Sequence, residues 1–380
     1  MAAGEVIMNF VRCKTCCMPN TRPDTPFIDG ECSACVTYKK RPTIDWSGRQ
    51  QELVRLLEQN RAARPGTEFD CIVPSSGGKD STWQVLKLLE LGAKPLVVTA
   101  TTCHLTPIGR RNIDNLARYA TTIEITPNRS VRARLNKLGL EMVGDISWPE
   151  HVSIFTTPFK VSCQMGIPLI FYGENPQAEY GGPPGTEQAR EMTRRWVSEF
   201  GGFLGLRPMD VVGLLDITER DMQEYMPPSD EAMAHAGVSA YFLGSFYQWD
   251  SLRNADVACK HGMRARVPSL ANWWIEENLD NAQTGLHDWF GWLKYGYGRG
   301  CAQISVDVRS GRVPRDEALD WVHNYDGYFP NEYAGVPLDD VLERIGMTRA
   351  ELFEAASQFV SHELFVDGDW SKPVWRAYAG

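Results

Sequence analysis

No stretch of the 380 residues approaches the roughly 18 uninterrupted apolar positions that a membrane span requires. The first ten residues hold no basic segment followed by an apolar one, the pattern of a secretion signal. A cytoplasmic protein without a membrane segment is the expectation. Positive charge is also scarce: 39 Lys and Arg face 48 Asp and Glu, a formal net charge of −9, which weighs against capture of a polyanion such as nucleic acid. There is no fixed-period repeat or low-complexity tract. Neither a G-x-x-x-x-G-K-[ST] loop for γ-phosphoryl transfer nor a G-x-C-x-G elbow for a glutaminase nucleophile occurs. What remains, 43% hydrophobic and 23% charged residues, has the composition of an ordinary globular enzyme with room for two or three domains.

Residues 70–82 read Asp-Cys-Ile-Val-Pro-Ser-Ser-Gly-Gly-Lys-Asp-Ser-Thr, an apolar strand running through a Gly-rich turn into a helix. Gly77 and Gly78 let the backbone turn sharply and aim successive N–H groups at phosphate oxygens, with the positive end of the helix behind them. Ser75, Ser76, Ser81 and Thr82 add hydroxyl donors, Lys79 a cation and Asp80 a carboxylate for Mg²⁺. This short loop resembles those of ATP pyrophosphatases, which grip the β,γ-pyrophosphate and leave the α-phosphorus open to attack. The expected products are AMP and pyrophosphate.

Of ten cysteines, Cys13-x2-Cys16 and Cys32-x2-Cys35 have the spacing of a four-thiolate structural zinc ribbon. Their neighbour Cys17 reads as a spare thiol. Cys71, Cys103, Cys163, Cys259 and Cys301 are scattered singly, the habit of thiols used as small hydrophobes.

Beyond the ribbon, expected over residues 1–42, short apolar strands at 71–74, 95–99, 121–125 and 168–172 alternate with helices at 81–91, 110–120, 128–138 and 148–165. That alternation predicts an α/β domain over residues 43–204 with a parallel sheet covered on both faces. Ligands then sit beyond the carboxyl ends of the strands, where the loop at 75–80 and the turn Gly173-Glu174-Asn175-Pro176 converge. Glu174 and Asn175 are candidates for magnesium, ribose or substrate, and Glu174 for a general base. Residues 205–380 read as a mainly helical region for substrate or partner binding. Within it, residues 292–299 mix aromatics, glycines and cations without a clear period, and residues 305–312 read as either a solvated charge cluster or part of a binding surface, periodicity favouring the former.

Taken together, Cys13 to Cys35, the loop at 76–81, Tyr172-Gly173-Glu174-Asn175-Pro176 and Lys294 to Arg299 resemble the N-acetyl sugar amidotransferase family of bacterial surface-polysaccharide and flagellin-glycan biosynthesis. The resemblance implies an adenine nucleotide α-hydrolase-like fold and conversion of an acetamido group, on a nucleotide-activated sugar or nonulosonic acid, into an acetamidino group. ATP, Mg²⁺ and a structural Zn²⁺ are the implied cofactors. Lys79, Asp80 and Glu174 become the catalytic set, and Tyr172, Glu174, Asn175, Lys294 and Arg299 the sugar contacts. A glutaminase subunit and a cyclase-like barrel subunit, resembling those of histidine biosynthesis, are the implied partners that supply ammonia. Two other readings stay open: a zinc-ribbon sulfurtransferase that thiolates tRNA through Cys103 or Cys163, and a scaffold built on an inactive nucleotide fold.

Overall fold

The computed structural model describes residues 10–365. The chain opens with a cysteine knuckle closed by the Arg12–Pro19 bridge, then the hairpin β1 (Phe27–Ile28) and β2 (Glu31–Cys32). Asp29 and Gly30, at φ of 51° and 83°, make the left-handed turn that a tight hairpin needs. α1 (Ser33–Lys40) and α2 (Trp46–Ala63) follow, the latter capped by the Asp45 carboxylate on Gly48 N–H at 2.9 Å.

The alternating segment begins with β3 (Cys71–Pro74) and α3 (Lys79–Glu90), then β4 (Pro95–Ala100), α4 (Pro107–Leu116), β5 (Thr121–Ile125) and α5 (Arg129–Val143). α6 (Trp148–Met165) leads to β6 (Leu169–Tyr172). Four short helices come next, α7 (Pro176–Glu179), α8 (Arg194–Phe200), α9 (Glu219–Met222) and α10 (Asp230–Ala236), before β7 (Ser239–Phe242) and α11 (Ser251–Lys260). The sheet runs β5-β4-β3-β6-β7 and every pair is parallel. Both faces are covered: Cys71, Val73 and Phe171 pack with Leu53, Trp83 and Leu88, and Ile72, Leu96 and Ile170 with Val161 and Trp196. Near-continuous burial along β3, β4 and β6 is why these strands read as unbroken apolar runs.

The chain leaves β3 toward β4 and β5, then returns to place β6 on its other side. β3 and β6 therefore flank the point where strand order reverses, and the loops that follow them diverge to open a crevice there. The fifth strand, β7, lies beyond the boundary expected at residue 204, so the sheet draws on residues 239–242 as well. Its sequence Ser-Ala-Tyr-Phe is short and alternating, and it sits among polar helices that hide it from a reading by pattern.

The remainder is helical: α12 (Thr284–Tyr295), α13 (Arg299–Arg309) and α14 (Arg315–Tyr325), the hairpin β8 (Glu332–Tyr333) and β9 (Val336–Pro337), then α15 (Leu338–Ile345) and α16 (Arg349–Ser357). α12, α15 and α16 share one core with the end of α5 through Leu140, Trp289, Phe290, Val341 and Leu352. α13 and α14 receive the cysteine knuckle. Residues 292–299 are the end of α12, a turn at Gly296 (φ 65°) and the start of α13. Of the charge cluster at 305–312, only the end at Gly311 and Arg312 is exposed: Asp307 is 2% exposed and accepts from the indoles of Trp273 at 2.6 Å and Trp274 at 2.9 Å and from Arg312 at 2.8 Å. Local sequence gave no sign of those partners, because the two tryptophans lie more than thirty positions away. No helix among the described residues is long and apolar enough to cross a membrane.

Candidate functional site

The turn between β3 and α3 holds its shape through its own side chains. Ser75 Oγ accepts from Gly77 N–H at 2.9 Å and donates to Ser81 Oγ at 2.8 Å, and Ser81 Oγ reaches the Gly78 carbonyl at 3.2 Å. The two glycines do different work. Gly77 stands at φ 77°, and a Cβ there would meet Ile113 N at 2.6 Å and Asn112 C at 2.7 Å, so both backbone conformation and the approach of α4 demand glycine. Gly78 is the N-cap of α3 in an extended conformation, and a Cβ there would meet only Ser76 Oγ, at 3.4 Å. Its bare face lines the cleft.

That cleft, of about 730 Å³, lies at the carboxyl ends of β3 and β6 and is walled on the far side by α12 and α13. Ser75, Ser76, Gly78, Lys79, Asp80, Ser81, Tyr172, Glu174, Lys294 and Arg299 line it together. Residues more than two hundred positions apart thus share one cavity. Three expected contacts stand elsewhere. Thr82 is fully buried, its hydroxyl without a partner, and Gly77 faces α4. Asn175 caps α7, accepting from Gln177 N–H at 3.0 Å and donating to the carbonyls of Thr186 at 2.8 Å and Ala189 at 3.2 Å. Its amide is spent on shaping the loop after β6.

At the loop end the wall is acidic. Lys79, 3% exposed, is bonded to Asp80 and lies 3.2 Å from Glu277. Burial opposes its charge, but the two carboxylates outweigh burial and hold its pKa well above the ordinary lysine value. Glu277 is likewise kept ionised: burial works against it, while Lys79 and Arg299 pull its pKa below the usual carboxylate range. Glu174 behaves oppositely. Burial, reinforced by the Asp80 carboxylate, pushes its pKa up to about 8. Three carboxylates around one buried lysine make a poor receptacle for a polyanion unless a divalent cation joins them. The donor set therefore fits Mg²⁺ at Asp80, with Glu174 left to hold or release its proton. Glu277 was not foreseen; Trp-Trp-Ile-Glu-Glu-Asn at 273–278 carries no phosphate-loop signature.

On the far wall, Arg299 pairs with Asp288 at 2.9 Å, and Lys294 donates to the Val143 carbonyl at 2.6 Å, with burial lowering its pKa. Tyr172 lines the wall with its ring while its hydroxyl donates to the Ile154 carbonyl at 3.0 Å. Asp145 sits between two imidazoles, His287 Nδ1 at 2.8 Å and His151 Nδ1 at 3.2 Å. Burial opposes its ionisation, but the imidazoles outweigh burial and hold its pKa well below normal.

The four knuckle cysteines are buried, with all sulfurs within 4.8 Å of one another. Cys13 and Cys35 sulfurs are 3.8 Å apart, and those of Cys16 and Cys32 are 3.7 Å apart. Tetrahedral Zn–S bonds of about 2.3 Å set sulfurs about 3.8 Å apart, so the residues fit zinc as expected. Arg315 donates to the Cys13 carbonyl at 2.9 Å and the Cys16 carbonyl at 3.2 Å, and Arg309 reaches Cys16 Sγ at 4.0 Å, which offsets the charge of a thiolate cluster. Cys17 is buried against α13, its N–H on Ser305 Oγ at 3.2 Å, and burial pushes its pKa up to about 12. Cys103 and Cys163 do not line the cleft; burial raises both pKa values, that of Cys103 to about 11, the reverse of a reactive thiolate.

Comparison with known proteins adds one informative match. Curated proteins gave none. Among solved structures, an NMN synthetase from Francisella tularensis aligns over 51% of this chain and 93% of its own at 13% identity and a TM-score of 0.27, a likeness too slight to carry an argument. Residues 268–378, which hold α12 to α16, Glu277, His287, Lys294 and Arg299, match the family described as LPS biosynthesis protein WbpG-like, C-terminal domain. Residues 268–378 thus carry a WbpG-like C-terminal domain of LPS biosynthesis, in agreement with the resemblance carried by the chain's motifs.

Proposed function

We propose that this chain is an ATP-dependent, AMP-forming amidotransferase that converts an acetamido group of a nucleotide-activated sugar or nonulosonic acid into an acetamidino group. The observation that carries the reading is the shared cleft: the loop at 75–81 and the lipopolysaccharide-family helices α12 and α13 face one cavity large enough for a nucleotide and a sugar.

An amide carbonyl is a poor electrophile, because nitrogen donates into it and oxide is a poor leaving group. Attack of the amide oxygen on the α-phosphorus breaks the bond to the β-phosphate, releases pyrophosphate and leaves an O-adenylyl imidate. Ammonia then adds to the imidate carbon and the C–O bond to AMP breaks. Loop N–H groups, Ser76 and Lys79 hold the pyrophosphate, while Arg299 and Lys294 offer cations to the sugar end. A Mg²⁺ held by Asp80 would neutralise phosphate charge. Glu174, whose burial favours the proton, accepts one from the incoming nitrogen.

Ammonia in this reading comes from a partner glutaminase, docked with a cyclase-like barrel subunit. None of the cysteines lines the cleft among the described residues, which leaves the chain without an evident nucleophile for glutamine. The same finding disfavours the sulfurtransferase reading. The decisive experiment is mass spectrometry of candidate nucleotide sugars incubated with the chain, ATP, Mg²⁺ and ammonium. Exchange of O for NH, about one mass unit lighter, with AMP and pyrophosphate in equal amounts, is expected; ADP and orthophosphate, or a sulfur-containing product, would overturn the proposal. Glutamine should replace ammonium only when the glutaminase is added.

A further inference from the structure

We propose that Asp145, His151 and His287 form a divalent transition-metal site on the cleft wall, separate from both the four-cysteine cluster and the nucleotide loop. The three side chains come from different places. Asp145 lies in the turn between α5 and α6, His151 in the first turn of α6 and His287 in the first turn of α12. All three line the cleft, and their donor atoms lie within 4.8 Å of one another.

The distances resemble those within a coordination shell. Metal bonds of about 2.1 Å put neighbouring octahedral ligands about 3.0 Å apart. His287 Nδ1 is 2.8 Å from one Asp145 oxygen and His151 Nδ1 is 3.2 Å from the other. Although close, His151 Nδ1 is buried and finds no well-aligned hydrogen-bond partner. An imidazole nitrogen that crowds a carboxylate without a directed bond to it is placed to share a third body with that carboxylate.

The surroundings hold the donors in place. Asp145 Oδ1 accepts from Ser147 N–H at 2.8 Å, which fixes the carboxylate as an outer-shell contact would. The two rings meet edge to face at 5.3 Å. Gly202, at φ 77°, packs on the His151 ring so closely that a Cβ would lie 2.8 Å from Nδ1. Two imidazoles and one carboxylate suit Mn²⁺, Fe²⁺, Co²⁺ or Zn²⁺ and leave coordination positions for an anionic oxygen of whatever occupies this end of the cleft. The inference does not depend on the amidotransferase reading, since it concerns metal held without ATP or sugar.

The test is a Mn²⁺ titration of the full-length, zinc-loaded chain without nucleotide, followed by the electron paramagnetic resonance signal of free Mn²⁺. A Mn²⁺ equivalent should bind that His151→Ala and His287→Ala each weaken at least tenfold, while zinc content stays at one per chain. Asp80→Asn, which alters the loop instead, should leave that histidine-dependent equivalent intact. Absence of such an equivalent, binding indifferent to both histidine variants, or its loss in Asp80→Asn would each overturn the proposal.

Discussion

Lys79 Nζ lies 3.2 Å from Glu277 Oε1, so the phosphate loop and the carboxyl-terminal domain meet at a buried ion pair. Gln303 Nε2 holds the other Glu277 oxygen at 2.5 Å, and the Lys79 ammonium stands over the Trp274 ring at 5.7 Å. The lysine is thus aimed from across the cleft, by residues on the far wall.

Glu277→Gln should lower the melting temperature by an amount corresponding to about 1–3 kcal/mol, because a buried charge loses one of two partners. Turnover should fall at least tenfold, with partial recovery in Glu277→Asp. Steady-state kinetics and thermal melts on the three proteins check this; unchanged turnover in Glu277→Gln would remove Glu277 from the positioning of Lys79.

Much of this site was legible in the sequence, and what was missed has a common cause. The loop, the strands around it and the cysteine quartet are local patterns in which neighbours in sequence act together. Glu277, Asp145, His151 and His287 carry no such pattern, because each acquires its partner through tertiary packing. Tyr172 lines the cleft and Asn175 does not, and the polar atoms of both are committed to backbone, through the Ile154 carbonyl and the turn at 186–189 rather than through their own neighbours. β7 escaped notice because strand pairing, not its four-residue sequence, makes it a strand.

Glu174 gives a pH dependence with a definite sign. Its pKa is about 8 in the folded chain against an ordinary 4.5. Between these values the unfolded chain has lost the proton and the folded one keeps it, so the free protein loses stability as pH rises from about 4.5 to about 8. Glu174→Gln should flatten that slope in chemical denaturation measured across the range. If Glu174 is also the base, the ammonium-driven rate of the wild type should climb toward about pH 8, and Glu174→Gln should be slow throughout. A variant with the wild-type stability slope would show that the carboxyl is not protonated in the folded state.

Tyr172→Phe separates shape from recognition. The Ile154 carbonyl accepts the Tyr172 hydroxyl, and Pro158, four positions on within α6, has no N–H to offer it. Removing the hydroxyl leaves that carbonyl without its donor, at a cost of about 1 kcal/mol or somewhat more. Melting temperature should drop while KM for the sugar changes less than twofold. A large rise in KM with unchanged stability would mean that the hydroxyl leaves Ile154 to bind substrate.

The paired glycines allow the sharpest test of the loop, because adjacent substitutions should fail in different ways. In Gly77→Ala the new methyl meets the Ile113 and Asn112 backbone at 2.6 and 2.7 Å, at φ 77°; neither backbone can yield cheaply, and the left-handed conformation alone costs an L residue about 1–2 kcal/mol. Folding should suffer first, seen as a melting temperature lowered by several degrees. In Gly78→Ala the methyl meets only Ser76 Oγ at 3.4 Å, in an extended conformation open to any residue, so the fold should hold. The methyl instead occupies the face of the loop where phosphate oxygens would approach the backbone. ATP binding followed by calorimetry should weaken at least tenfold in Gly78→Ala with the melting temperature of the free protein unchanged. Full ATP affinity in a stable Gly78→Ala protein would mean that the phosphates do not rest on this turn.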